Sequence, residues 1–178
     1  MKACFRKAVV FCKEKPCFYL ELGSKVPSKE SILKEKEDRG IHCIDETLIK
    51  VGSEYIWLWI TIEPKNKEIL ALTISKERNM FVAERYLSDI VKVYGKHPVS
   101  TDGGTWYPMA CRFLKLKHHI HSSYEKSIIE RTMQYIKDRT ECFDDYFPCR
   151  RKNCKLKHVR NWLNLFVDYH NRELRVLK

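Results

Sequence analysis

Ten consecutive residues, Glu54–Glu63 (EYIWLWITIE), alternate strictly: Tyr55, Trp57, Trp59 and Thr61 point one way, and Ile56, Leu58, Ile60 and Ile62 the other. A period of two over that length is the pattern of a β-strand, not of a helix. Just before it, Ile41–Thr47 (IHCIDET) reads as a second, short strand. Ile41, Cys43 and Ile44 suit a central strand covered on both faces. That strand is expected to end on a carboxylate, Asp45, at the place where open α/β sheets put their ligand sites. After the long strand, Pro64-Lys65-Asn66-Lys67 makes a turn and Glu68–Ser75 a third strand. Connections this short imply an antiparallel meander.

The pattern then changes. Asn79–Tyr94 reads as a helix ended by Gly95, with Val82, Tyr86, Ile90 and Val93 at helical spacing. Val99–Asp102 is a short strand closed by a second carboxylate, Asp102, ahead of Gly103-Gly104. A helix crosses over before it, so it should run parallel to the first strand. Trp106–Leu114 is a second helix, with Thr105 as its expected N-cap. Lys117–His121 is a fifth strand, Tyr124–Thr140 a third helix, and Glu141–Lys155 an irregular loop. Leu156–His170 closes the order as a helix with Leu156, Val159, Trp162, Leu163 and Phe166 on one stripe. Three antiparallel strands followed by βα units is the layout of the ribonuclease-H-like fold. The expected architecture is therefore α/β: a mixed five-stranded sheet with helices on both faces. The first strand is central and the fourth beside it, which puts Asp45 and Asp102 side by side.

At 178 residues the chain is one ordinary domain with an extension. Residues 1–40 read as an N-terminal extension or remnant and linker, ahead of a principal domain over 41–178. The formal net charge is +11. From Cys111 onward there are 16 Lys/Arg against 8 Asp/Glu, so most of the excess sits in the last third. A polyanionic partner, most simply nucleic acid, fits that balance, and a solvated basic surface is the plainer alternative. No apolar run approaches the ~18–20 residues of a membrane helix. Lys7, Lys13 and Lys15 crowd the apolar stretch Ala8–Cys12, unlike a secretory leader. A cytoplasmic protein is expected, with its eight cysteines as thiols. Cys4, Cys12 and Cys17 lack a second ligand pair nearby. Cys142, Cys149, Cys154 and His158 could supply four zinc ligands, although their spacing matches no common finger and ordinary thiols compete with that reading. His118, His119 and His121 read as sheet positions rather than ligands.

A third carboxylate, Glu130, lies on the most helix-like segment, where Lys126, Glu130, Gln134 and Lys137 share one face beside the apolar stripe Ile129, Met133 and Ile136. Two aspartates at strand ends and a glutamate on a covering helix suggest a divalent-metal site, because Mg²⁺ is hard and prefers oxygen. Two such ions about 3.5–4 Å apart serve phosphodiester chemistry. Taken singly, an Asp before Gly-Gly is often a turn residue and a Glu on an amphipathic helix a solvated one.

Asp45-Glu46-Thr47, Thr101-Asp102-Gly103-Gly104-Thr105-Trp106-Tyr107, Ser127–Glu130 with Lys137 seven residues on, and Trp162 with Tyr169-His170-Asn171 together resemble DDE transposases of prokaryotic insertion sequences. The group is the one named for the sixth insertion-sequence family, archaeal members included. The resemblance covers roughly Ile41 to Leu174 and makes 41–178 a DDE catalytic domain. It implies Asp45, Asp102 and Glu130 as the catalytic, metal-binding triad, with two Mg²⁺ or Mn²⁺ ions. It further implies a DNA contact from Lys137, element ends and target DNA as partners, and a homo-oligomer when active. The basic excess on the third helix adds Lys126, Arg131 and Arg139 as expected electrostatic DNA contacts beside Lys137, and the lack of a long apolar run leaves no membrane partner expected. The helix-turn-helix usual in that group is not seen in residues 1–40, as in a truncated copy. Two alternatives stand beside this reading: a host nuclease or resolvase on the same fold, and a non-catalytic DNA-binding remnant.

Overall fold

The computed structural model describes residues 40–51, 54–140 and 156–176. The expectations for the N-terminal extension and for Cys142, Cys149 and Cys154 lie outside the described residues. The described chain forms β1 (His42–Val51), β2 (Glu54–Glu63), β3 (Glu68–Ser75), α1 (Met80–Tyr94), β4 (Val99–Thr101), α2 (Trp106–Phe113), β5 (His118–Ile120), α3 (Ser123–Thr140) and α4 (Leu156–Val176).

The five strands make one sheet in the order β3-β2-β1-β4-β5. β1 and β3 flank β2 antiparallel, whereas β4 runs parallel to β1 and to β5. This is the meander followed by parallel units expected above, with β1 central. β1 is longer than its sequence suggested, running to Val51 instead of Thr47. The reason is β2: its alternating residues pair with β1 continuously from Cys43↔Ile62 to Val51↔Glu54, which draws Leu48–Val51 into the ladder. Asp45 is therefore in the body of a strand, not at its end. What ends nearby is the ladder to β4, whose pairs are His42↔Val99 and Cys43↔Ser100.

The sheet's two faces carry two separate cores. Cys43, Ile49 and Val51 of β1 join Ile56, Leu58, Ile60 and Ile62 of β2 in packing on Ile128, Ile129, Met133 and Ile136 of α3 and Val159, Leu163 and Phe166 of α4. On the opposite face Ile44 and Trp59 meet Ala83, Tyr86, Leu87 and Ile90 of α1 and Tyr107, Ala110 and Cys111 of α2. Each fully buried aliphatic side chain contributes roughly 1.5–3 kcal/mol. The alternation read in β2 is thus the division between the layers. Cys43 and Cys111 are buried free thiols, and burial pushes Cys43 up to about 12 and Cys111 to about 11, so neither is a poised nucleophile.

Helix ends follow local chemistry. The Asn79 side chain accepts the Val82 N–H at 3.0 Å and starts α1, and Gly95, at φ 87°, ends it. Val93, expected on the buried stripe of that helix, is 50% exposed because Ala83, Tyr86, Leu87 and Ile90 define the inward face. α3 opens on a capping box: Ser122 N–H donates to Glu125 at 2.7 Å, and Glu125 N–H to the Ser122 hydroxyl at 3.3 Å. Thr105 does not cap α2 as expected; its backbone is already helical (φ −62°, ψ −20°), which leaves its side chain without a cap bond. α4 reaches six residues past His170 and docks on β3. There the Asn171 amide accepts the Ile69 N–H at 3.0 Å and donates to the Ile69 carbonyl at 2.9 Å. From α1, the Tyr94 and Tyr86 hydroxyls donate to the carbonyls of Leu70 (2.7 Å) and Ala71 (3.1 Å) on the same strand.

Candidate active site

Parallel register brings the two aspartates together. The last β1–β4 pair is Cys43↔Ser100, and Asp45 and Asp102 each lie two residues beyond it. They therefore stand level on neighbouring chains where the ladder opens. Asp102 begins the turn after β4: its Oδ1 accepts the Gly104 N–H at 2.9 Å, and Gly103 adopts φ 92°, which favours glycine. The turn role and a place in the acidic cluster are compatible, since a carboxylate has two oxygens.

A third carboxylate joins them, and it is Glu46. Carboxylate oxygens of Asp45, Glu46 and Asp102 all lie within 4.8 Å of one another. Glu46 shares the β1 face of Ile44, so it points into the α1/α2 layer and is buried. There the Tyr107 hydroxyl donates a hydrogen bond to its Oε2, and Arg78 Nη1 lies 3.5 Å from its Oε1. Burial raises the Glu46 carboxyl above its usual range, and the Tyr107 hydrogen bond and the Arg78 charge work against that rise. Tyr107 is itself held well above the ordinary phenol range by burial and by the Glu46 charge, so it remains a donor.

Asp45 is half-buried on the other side of β1 and accepts the Glu46 N–H at 2.8 Å. Burial pushes its carboxyl up to about 7; the hydrogen bond opposes the rise, and the charges of Glu46, Asp102 and Glu130 add to it. Glu130 thus acts on Asp45 through its field, but it stands outside the group of three. Its side chain is 60% exposed on α3, 3.9 Å from Lys126 Nζ.

The remaining residues singled out in the sequence occupy α3, β5 and α4. Lys126 and Arg131 are exposed, and Arg131 folds back on Ser127, Nη2 donating to its hydroxyl at 2.7 Å. Lys137 is half-buried. Arg139 folds back along α3: its guanidinium lies 3.4 Å from the ring centre of Tyr135, which packs on Phe166 of α4. The histidines of β5 and the residue after it serve hydrogen bonding around β4, His118 with Thr101 at 2.8 Å, His121 with Ser100 at 2.6 Å and His119 with Glu125 at 3.2 Å. His158 is exposed on α4.

Sequence reasoning missed Glu46, Arg78 and Tyr107 as parts of the site. One signal was available for Glu46. In β1 it shares the period-two face of Ile44, where a carboxylate has to be buried and partnered. Nothing local marked Arg78, which lies in the connection between β3 and α1.

The cluster offers only carboxylate oxygens, the donor set of a hard divalent cation. Burial first, and the like charges of Glu46, Asp102 and Glu130 after it, disfavour the ionised Asp45, and a bound cation would offset both. A ribonuclease-H-like sheet with this acidic cluster at the open end of its central parallel ladder defines the class of the molecule. The family model described as DDE domain matches residues 41–162, and the chain belongs to that family, the DDE-domain transposases of insertion sequences. It is 33% identical over 138 residues to an uncharacterized protein of Methanocaldococcus jannaschii. That match covers 77% of this chain and 63% of the relative, so the chain spans less than two thirds of the relative's length. Among solved structures it is similar to the HTLV-2 integrase catalytic core domain, determined in complex with magnesium in a dimeric form, with a TM-score of 0.52 and 18% identity. The match covers 69% of this chain and 81% of that one, and the likeness is one of fold. Among the described residues no helix is long and apolar enough to cross a membrane.

Proposed function

We propose that residues 41–178 form a transposase catalytic domain that carries out metal-dependent DNA strand cleavage and strand transfer, acting in the cytoplasm as a homo-oligomer on element ends and target DNA. The observation that carries this reading is the level placement of Asp45 and Asp102, with ligand oxygens within 4.8 Å of each other beside Glu46. Asp45, Asp102 and Glu130 would hold two Mg²⁺ or Mn²⁺ ions. Such ions supply Lewis-acid activation of the attacking oxygen and charge stabilisation at the leaving oxygen.

The chain's own residues do the rest. Asp45 and Asp102 are fixed by strand register and by their backbone hydrogen bonds, so little reorganisation remains when the substrate arrives. Glu46 does not serve as a free base: its oxygens are engaged by Tyr107 and Arg78. Lys126, Arg131, Lys137 and Arg139 supply DNA contacts from α3, positioning the backbone without reading its sequence.

The experiment is an assay of the full chain on duplex DNA bearing element ends, with Mg²⁺, with Ca²⁺ and with a chelator. Cleavage and joining should require Mg²⁺ or Mn²⁺, and Asp45→Asn should reduce both by at least about 100-fold, roughly 2.7 kcal/mol, with DNA binding retained. Cleavage without joining would replace the transposase reading with a nuclease. Binding with neither would leave a DNA-binding remnant.

A further inference from the structure

Arg78 contacts the carboxylate cluster through an ion pair with Glu46, which leaves most of its donors unused. Its carbon Cζ lies 4.0 Å from the ring centre of Trp57 and 4.4 Å from that of Trp106. One indole comes from β2 and the other from the first turn of α2, so both are fixed by the fold. Gly104 makes the second placement possible, because a Cβ there would come within 2.6 Å of the Trp106 ring. Arg78 Nη1 forms a long ion pair with Glu46 at 3.5 Å, while its side chain remains 37% exposed. Among the described residues its guanidinium has that ion pair and no hydrogen bond.

A guanidinium carries five N–H donors in one plane. Here the guanidinium lies over two indoles, Nη1 faces Glu46, and the side chain keeps 37% of its surface exposed. Holding the group flat removes much of the rotamer freedom that an arginine otherwise loses on binding. Stacking also thins its hydration, so exchanging water for an anion costs less. The anion that matches a planar donor edge is one with paired oxygens, above all a phosphodiester. The neighbouring carboxylates would repel such an anion, and a fixed cation at the rim offsets that repulsion.

We propose that Arg78, clamped by Trp57 and Trp106, binds a DNA phosphate on the α1/α2 side of the acidic cluster, opposite the contacts from α3. The inference rests on the reading of the cluster as a DNA-processing site. The contact itself can be measured apart from catalysis.

The test is binding of the full chain to a fluorescent DNA duplex in Ca²⁺, as a function of salt. Each phosphate contact contributes about 0.9 to the slope of log affinity against log salt. Arg78→Gln keeps a planar group between the indoles and removes the charge. It should weaken binding severalfold and reduce the slope by about one in a variant whose circular dichroism shows a folded chain. A purely structural partner of Glu46 would leave the slope alone, and an unchanged slope in a folded variant overturns the proposal. Should Arg78→Gln fail to fold, Arg78→Lys decides: the slope should persist with weaker affinity, because a point charge cannot reproduce the two-pronged contact. Native affinity in Arg78→Lys also overturns it. A lowered slope in a chain that does not cleave DNA in Mg²⁺ would keep the phosphate contact and remove the catalytic reading. No measurable DNA binding by the native chain would remove both.

Discussion

The Tyr107 hydroxyl donates its hydrogen to Oε2 of Glu46, joining the first turn of α2 to the central strand inside the α1/α2 layer. Both side chains are buried. The bond therefore supports the carboxylate next to Asp45 from behind, on the side away from α3.

Tyr107→Phe removes that donor and leaves a buried carboxylate oxygen unsatisfied. The expected loss of folding stability is about 1–3 kcal/mol. Since the hydrogen bond holds the Glu46 carboxyl down, its loss lets burial raise that carboxyl further. A raised carboxyl disfavours the folded state when ionised, so the loss should be larger at pH 8 than at pH 5. Urea unfolding of both proteins at the two pH values measures this, and an equal loss at both would contradict it.

Asp45 gives the metal-free protein a pH dependence of known sign. Its folded carboxyl sits at about 7, while an unfolded aspartate titrates near 3.9. Between those values the folded state holds the proton and the unfolded state does not, so stability falls as pH rises through the window. Asp45→Asn removes the charge, and its stability advantage over the native chain in a chelator should grow from pH 5 to pH 7. At pH 6, Mg²⁺ binding to the native chain should release a proton, visible as a calorimetric heat that depends on the buffer. A constant difference between the two proteins, with no proton release, would refute the assignment.

Glu130 separates catalysis from stability. It is 60% exposed and its partner Lys126 is 64% exposed, so the ion pair contributes little to folding. Glu130→Gln should shift the unfolding free energy by no more than about 0.5 kcal/mol. Under the proposed function it should nevertheless abolish Mg²⁺-dependent cleavage. Cleavage within a few fold of native would remove Glu130 from the metal site.

Gly104→Ala tests the packing behind the site. An added Cβ meets the Trp106 ring at 2.6 Å, and the indole has to move. Displacement of Trp106 should alter the intrinsic tryptophan fluorescence and destabilise the fold by about 1–3 kcal/mol, the usual range for overpacking. An unchanged spectrum with native stability would mean that the ring does not rest on Gly104.

Much of this architecture was legible because it is local or periodic. The alternation of β2 separated Trp57 and Trp59 from Ile56, Leu58, Ile60 and Ile62, and the sheet divides its cores along that line. Asn79 and Gly95 marked the ends of α1 correctly. The crossover rule gave the parallel direction of β4, and the ribonuclease-H-like strand order gave its place beside β1, which set Asp45 next to Asp102. The residues that escaped depend on tertiary contact. β1 runs on to Val51 because β2 is there to pair with it. Thr105 has the right chemistry for a cap and the wrong backbone. Arg78 gains its meaning from two tryptophans, one 21 positions before it and one 28 after it, that meet it only in the fold.

The Asn171 amide has a further consequence at the border of the sheet. An outer strand normally offers its main chain as a template on which another strand can lay itself. On β3, the groups of Ile69, Leu70 and Ala71 are already answered by Asn171, Tyr94 and Tyr86. At the opposite border, β5 is only three residues long. The Ile69–Ala71 stretch of β3 and the short β5 therefore offer little free main chain on which a further strand could lay itself.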